Sequence, residues 1–468
     1  MSKSFRRDEL NQTLMMPPSL HDWLPEGHLA RFLVDVVSAL DLRAIYGSYA
    51  EKDGRGQSAY APEMMVRLLL YGYAKGVYSS RKIETRTYED VAFRFLSADT
   101  HPDHATIAEF RKRHLPALGE LFTQALLLCG KAGLVKLGHV AIDGSKIKAN
   151  ASKHKAMSYA RMGETEARLK AEIEKLLQQA EQTDAAEDAQ YGKGQRGDEL
   201  PQELARRESR LKKIQQAKAA LEQEVRERAE QQAAAEEEKK KAAQGEAEMQ
   251  RKRKKPRGGE SEPVDPAQAQ PKAKAQRNFT DPDSRIMPDG ANKGSFVQGY
   301  NAQIAVDGSA QIIVAADLTQ ETVDNHQLLP MIQQIEENLG CKPEKVSADA
   351  GYWSPENATD IKVEGIDLHI ATGRDKHGAA AEMAEGSAPP GARPRERMRH
   401  KLRTEAGRAV YKMRKAIVEP VFGQIKERLG FRRFSLRGKQ NVRCEWRLVC
   451  AVSNLLKLFR LGRMPQTT

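Results

Sequence analysis

Cysteine is scarce, with four residues (Cys129, Cys341, Cys444 and Cys450) in a chain of 468. They stand in separate contexts without CxxC spacing, so neither a disulfide framework nor a zinc site is indicated, and reduced intracellular thiols are the plain reading. Long apolar runs are missing too. No stretch approaches the roughly 18 apolar residues that a membrane span needs. The N-terminal Met1-Ser-Lys-Ser-Phe-Arg-Arg is followed by polar residues and not by the apolar segment of a secretory signal. A cytoplasmic chain with no membrane partner is expected. No glycine-rich phosphate loop occurs, so no nucleotide cofactor is expected either. What the chain has in excess is positive charge: 76 Lys and Arg against 64 Asp and Glu, a formal charge of +12. The excess is spread along the sequence, which favours a polyanionic partner, nucleic acid first.

The length allows two to four domains, and composition marks the boundaries. From Ser19 to Leu128 apolar residues recur at helical spacing, as in Leu29, Phe32, Leu33, Val36, Val37 and Leu40. This predicts an all-helical DNA-binding domain over 1–130. Arg81 and Lys82, just inside a helix that starts near Ser79, and Arg111 and Arg113, in a helix that starts near His104, are candidates for a DNA groove. The alternative is that they solvate helix faces. Residues 137–150 read as a strand. From 151 to 277 the composition turns to Ala, Glu, Gln, Lys and Arg, and core-forming aromatics nearly vanish. Leu169, Ile173, Leu176 and Ala180, then Leu211, Ile214, Ala217, Leu221 and Val225, keep three-four spacing. They predict a helical hairpin or coiled-coil insertion with its turn at Tyr191 to Gly197, followed by a basic, disordered linker through Arg251-Lys-Arg-Lys-Lys.

In the last part, 278–468, strand signals return. Gly299 to Val306 and Gln311 to Asp317 form a hairpin signature around Asp307-Gly308-Ser309. Asn325 to Leu339 reads as a helix, and strands end at Asp349 and Ala371 before helices from about Arg399. With the strand at Val140 as first element, this is the order of an RNase H-like α/β domain, a mixed five-stranded sheet with helices, interrupted by the helical insertion. Two apolar runs stop on aspartates, His139-Val-Ala-Ile-Asp143-Gly and Lys345-Val-Ser-Ala-Asp349-Ala-Gly. The first and fourth strands of such a sheet are neighbours, so Asp143 and Asp349 can meet around a metal pair. Two divalent cations would neutralise carboxylates that otherwise repel, and magnesium suits an all-oxygen site. Taken alone, either Asp followed by a small residue could be a turn residue.

These residues also carry a resemblance. The segments Leu14-Met-Met-Pro-Pro-Ser-Leu-His-Asp-Trp-Leu-Pro, Tyr60-Ala-Pro-Glu-Met-Met, Tyr78-Ser-Ser-Arg-Lys-Ile-Glu, Ala141-Ile-Asp-Gly-Ser-Lys-Ile-Lys-Ala-Asn, Asp281-Pro-Asp-Ser-Arg, Gly299-Tyr-Asn-Ala-Gln and Asp349-Ala-Gly-Tyr are similar to those of DDE transposases of bacterial insertion sequences. The resemblance covers nearly everything outside the helical insertion. It implies that Asp143, Asp349 and Glu419 form a catalytic, metal-binding triad holding two Mg²⁺ ions, with Mn²⁺ as a substitute. It also implies that Tyr411, Arg414 and Lys426 grip DNA from the helix of Glu419, with Arg432 and Arg433 extending that grip. Glu419 and Lys426 are two helical turns apart and share a face, while Val418, Phe422, Ile425 and Leu429 pack inward. The interval from Arg414 to Glu419 is one residue longer than in the family pattern, Lys415 is an alternative to the arginine, and Pro420 could begin a new helix.

The implied activity is metal-dependent cleavage at transposon ends and strand transfer into target DNA. The partners are double-stranded terminal inverted repeats and target DNA, engaged by a homodimer in the synapse, within the bacterial cytoplasm at the nucleoid. Two alternatives stay open: a catalytically inactive DNA-binding regulator, and an RNase H-like nuclease without strand transfer. His326 reads as a cap or polar contact, and the apolar stripe of Trp446, Leu448, Val449, Val452, Leu455 and Leu456 reads as core or dimer contact.

Overall fold

The computed structural model describes residues 19–50, 59–191, 201–247, 268–290, 294–373 and 383–462. The predicted hairpin turn and most of the basic linker lie outside these residues, as does the start of the Leu14 segment. The chain divides into two compact units, Met1–Ile147 with Asn301–Thr468, and Lys148–Tyr300. Among the described residues there are fourteen α-helices and a mixed sheet, and no helix is long and apolar enough to cross a membrane.

The first unit opens with helices α1 (Leu29–Ser38), α2 (Arg43–Ala50), α3 (Pro62–Ala74), α4 (Ser80–Glu89), α5 (Val91–Leu96), α6 (His104–Arg113) and α7 (Leu115–Lys131). Their boundaries have local causes. Asp90 and Asp103 cap α5 and α6 by accepting the first free N–H groups, and Pro62 begins α3 where its missing N–H costs nothing. The chain then enters β1 (His139–Lys148).

The second unit holds β2 (Ala156–Ser158), α8 (Tyr159–Tyr191), α9 (Pro201–Ala247), β3 (Gln276–Asn278) and β4 (Arg285–Pro288). Helices α8 and α9 pack through Met162, Leu169, Ile214, Ala217 and Leu221, closed off by Met157, Tyr159, Leu211 and Phe279. Strands β2 and β3 pair antiparallel at the base of this helix pair.

Strand β5 (Phe296–Asp307) passes from the second unit into the first, which continues with β6 (Ile313–Thr319), α10 (Leu328–Leu339), β7 (Lys345–Ala348), α11 (Pro355–Thr359), β8 (Asp367–Ile370), α12 (Pro394–Lys401), α13 (Glu405–Gly423) and α14 (Lys439–Arg460). The strand order is β6-β5-β1-β7-β8, with β1, β7 and β8 parallel and β5–β6 an antiparallel hairpin. The sheet has six strands, not the expected five. Residues 301–306 of the long β5 pair with β6, so its earlier residues 296–299 are free to take the short β4 as partner. Helix α10 begins at Leu328 and not at Asn325, because residues 324–327 form a turn instead.

Helix α14 covers the hairpin side of the sheet. Trp446 and Val449 are fully buried, Trp446 Nε1 donates to the Gln303 carbonyl at 3.1 Å, and the Asn454 amide both donates to and accepts from the Ile313 backbone at 2.8 Å. The predicted apolar stripe is therefore core. Helix α7 packs against α14 where Gly119 faces Cys444, and an added methyl group there would lie 3.2 Å from the cysteine Cβ.

Candidate functional site

Val140, Ala141 and Ile142 are fully buried on β1, and Val346, Ser347 and Ala348 on β7. On both strands the fully buried run is followed by an aspartate. The parallel register sets Ile142 beside Ala348, so the next residues, Asp143 and Asp349, lie side by side; Asp349 follows the end of β7, whereas Asp143 is in the middle of β1, which runs on to Lys148 and so does not end on the aspartate as expected. Asp349 caps a short turn, its Oδ1 accepting from Gly351 N at 2.8 Å. Asp143 accepts from Gly144 N at 2.8 Å and from Arg414 Nη1 at 3.3 Å. Burial pushes the Asp143 carboxyl up to about 6, against the pull of Arg414, and the negative charges of Asp349 and Asp324 add to the rise.

Helix α13 brings the remaining candidates. Arg414 is buried and lies 5.9 Å from the centre of the Tyr411 ring. Burial raises the Tyr411 hydroxyl, with Arg414 opposing and Asp349 and Asp143 contributing, so this side chain too faces the aspartates. Lys426 donates to Ser145 Oγ, two residues beyond Asp143. Val418, Phe422, Ile425 and Leu429 are buried, as the pattern predicts. Glu419 is on the exposed flank of α13 and makes no hydrogen bond or ion pair among the described residues.

Pro420 does not begin a new helix, because α13 runs through it to Gly423. A mid-helix proline deprives the carbonyl four residues earlier of its donor. That carbonyl, on Ala416, instead accepts from Gln311 Nε2 at 2.9 Å, so the helix tolerates the proline. A single π turn, Gln424–Arg428, follows and carries Lys426.

One carboxylate escaped the sequence reading. Asp324 Oδ1 accepts from Asn301 Nδ2 at 2.6 Å and Gln303 Nε2 at 2.7 Å, and Lys146 Nζ is 3.5 Å away. Asn301 and Gln303 are fully buried, and Asn301 Oδ1 has no hydrogen-bond partner. The available signal was the alternation of two amides in an otherwise apolar strand. His326, beside Asp324, pairs with Glu321 at 2.9 Å.

The side chains available here, the carboxylates of Asp143 and Asp349 with Asp324 and the Asn301 amide oxygen nearby, offer oxygen donors only, the type that hard divalent ions prefer. Among the described residues no three acidic, His or Cys side chains are placed so as to hold a metal ion.

The other predicted DNA-binding residues fall into two groups. Arg81, Lys82 and Arg433 are exposed, Arg113 is paired with Glu109 at 3.0 Å, and Arg432 is paired with Glu427 at 2.5 Å. Arg111 is a correction: it is only 8 % exposed, and its guanidinium donates to the Tyr78 carbonyl at 2.7 Å and to Ser80 Oγ at 3.3 Å. It ties α6 to the start of α4 and is not offered to a DNA groove.

Two aspartates on adjacent strands thus stand beside a basic helix, behind a helical N-terminal region. Two family models match the chain: Transposase domain (DUF772) over residues 18–113, and Transposase DDE domain over residues 266–455. The chain belongs to the DDE transposases of insertion sequences. Asp349 and Glu419 lie within the second match, while Asp143 lies between the two. No curated protein and no solved structure matches the chain.

Proposed function

We propose that this transposase cleaves DNA at transposon ends and joins the freed ends to target DNA, using an RNase H-like domain with Asp143, Asp349 and Glu419 as its catalytic triad. The observation that carries the reading is the side-by-side placement of Asp143 and Asp349 on adjacent parallel strands, faced by Tyr411 and Arg414. The strand order β6-β5-β1-β7-β8 supports the RNase H-like assignment.

The triad would hold two divalent ions, Mg²⁺ or Mn²⁺, which supply charge stabilisation for an in-line phosphoryl displacement. The chain's own residues do the rest. Arg414 holds Asp143 toward its ionised form, countering burial. Asn301 and Gln303 fix Asp324 beneath the site, and its charge adds to the field on Asp143. Tyr411 and Lys426 lie on the same helix as Glu419 and present a hydroxyl and an ammonium to phosphates flanking the cut. In the joining step the freed 3′-hydroxyl oxygen forms a bond to a target phosphorus, and the target's own 3′ oxygen leaves. No covalent protein intermediate and no nucleotide is needed. Two ends must be held together, which favours a homodimer on DNA.

A second reading, a DNA-binding regulator, draws support from Glu419, which is exposed on α13 and makes no ion pair among the described residues. Supplying the protein in cells beside a marked element bounded by its terminal repeats separates the two. Moved copies with wild type and none with Asp143→Asn support the transposase; repression without movement supports the regulator.

A further inference from the structure

The function so far leaves the second unit unused. On one face of the α8–α9 pair, two adjoining depressions share Arg210 and Lys213 in their walls. The first is also lined by His154, Lys155 and Arg161, the second by Arg206. Their floor is apolar and includes Met157, Ile214 and Leu169.

The charges on this unit are not distributed evenly. Several cations elsewhere on it are neutralised within the fold: Lys170 and Lys218 clamp Glu166 at 2.9 and 3.1 Å, and Arg277 and Arg285 clamp Glu224. Around the depressions Lys155, Arg161, Arg206, Arg210 and Lys213 are exposed and make no ion pair among the described residues. The acidic residue in the lining, Glu172, is already engaged by Arg168 and Arg207. Concentrating like charges costs self-repulsion, which an external polyanion relieves.

The spacing also suits a phosphate backbone. Arg206, Arg210 and Lys213 recur at i, i+4 and i+7 and so form one stripe of α9. That stripe is about 10 Å long at 1.5 Å per residue. It spans about three phosphate-to-phosphate intervals of one strand, each roughly 3.4 Å along a duplex axis.

We propose that this basic face of the inserted helix pair is a DNA-binding site that takes the phosphate backbone of a duplex without reading its bases. The proposal rests on DNA being the substrate of the chain and gives the insertion the task of holding a duplex by its backbone.

The test measures binding of the full-length protein to a random-sequence DNA duplex over a range of salt concentrations. The wild type is compared with the fourfold variant Arg161→Gln, Arg206→Gln, Arg210→Gln and Lys213→Gln, and with Lys170→Gln, Lys218→Gln as control. All six side chains are at least partly exposed, and thermal melting confirms that each variant is folded. Each lost phosphate contact flattens the dependence of log affinity on log salt by about 0.9, so the fourfold variant should flatten it by about 3 to 4 and bind at least tenfold more weakly at low salt. The control should keep the wild-type slope. A fourfold variant with the wild-type slope and affinity overturns the proposal, and if it still cuts the terminal repeat the transposase reading survives without it. A wild type that binds no duplex overturns both. A fourfold variant that changes oligomeric state while its DNA affinity is kept assigns the face to a second copy of the chain and also overturns the proposal.

Discussion

Gly144, the residue after Asp143, sits where the polar cluster beneath the site is tightest. A Cβ added there would stand 2.3 Å from Gln303 Nε2, 2.8 Å from Asp324 Oδ1 and 2.9 Å from Asn301 Oδ1. None of these atoms can yield cheaply, because both amides are fully buried and both donate to Asp324, while Gln303 also accepts from the Tyr352 hydroxyl. Overpacking of this kind costs about 1–3 kcal/mol. Breaking one charge-assisted hydrogen bond adds about 1.5–3 kcal/mol. Gly144→Ala is therefore expected to destabilise the protein by about 4 kcal/mol and to reduce DNA cleavage, since Asp143 shares the displaced backbone. Gly423→Ala is the matched control. That glycine lies inside α13 with nothing within 4 Å of an added methyl group, so alanine should stabilise by about 0.5–1 kcal/mol. Urea unfolding followed by tryptophan fluorescence reads both effects, because Trp23, Trp353 and Trp446 all belong to the unit that contains the site. A Gly144→Ala protein with the wild-type midpoint would refute the reasoning.

Arg111→Ala should lower stability by about 2 kcal/mol through loss of its buried hydrogen bonds while leaving the salt dependence of DNA binding unchanged; Arg81→Ala with Lys82→Ala should do the reverse. Glu445 is fully buried and accepts from Ser435 N, Leu436 N and the Ser435 and Tyr73 hydroxyls, so Glu445→Ala strands these four donors and should cost about 3 kcal/mol, measured by denaturant midpoint. Burial pushes the Lys457 ammonium down to about 7 from 10.5. Between those values the unfolded chain holds a proton that the folded chain has released, so stability rises with pH across that window. At about 1.4 kcal/mol per unit the rise amounts to a few kcal/mol. Lys457→Met should flatten it in melting curves taken from pH 7 to 10, and an unchanged slope would count against the buried placement.

The parts of this architecture that rest on near-neighbour periodicity were legible in the sequence. An apolar run that stops on a carboxylate places Asp349 at the end of β7 and Asp143 beside it, although β1 runs on past Asp143 to Lys148, and three-four spacing places Leu169, Ile214, Ala217 and Leu221 between α8 and α9. What was not legible depends on partners distant in sequence. Pro420 signals a helix break, and only the amide of Gln311, from another element, makes its place inside α13 tolerable. Arg111 sits in a basic triplet that reads as surface, yet the Tyr78 carbonyl and Ser80 draw it inward. Asp324 lies in a polar turn with no pattern of its own, and its role comes from two amides on β5 that point to the same face. The extra strand β4 is too short to announce itself and forms because β5 outruns β6.

The most direct test is cleavage and joining of a labelled duplex carrying the element's terminal repeat, with Mg²⁺ present, by wild type and by Asp143→Asn, Asp349→Asn and Glu419→Gln. The account predicts that wild type cuts and joins, that chelation of the metal abolishes both, and that all three variants bind the duplex but do neither. A wild type that binds without cutting, or a Glu419→Gln variant that remains active, would contradict it.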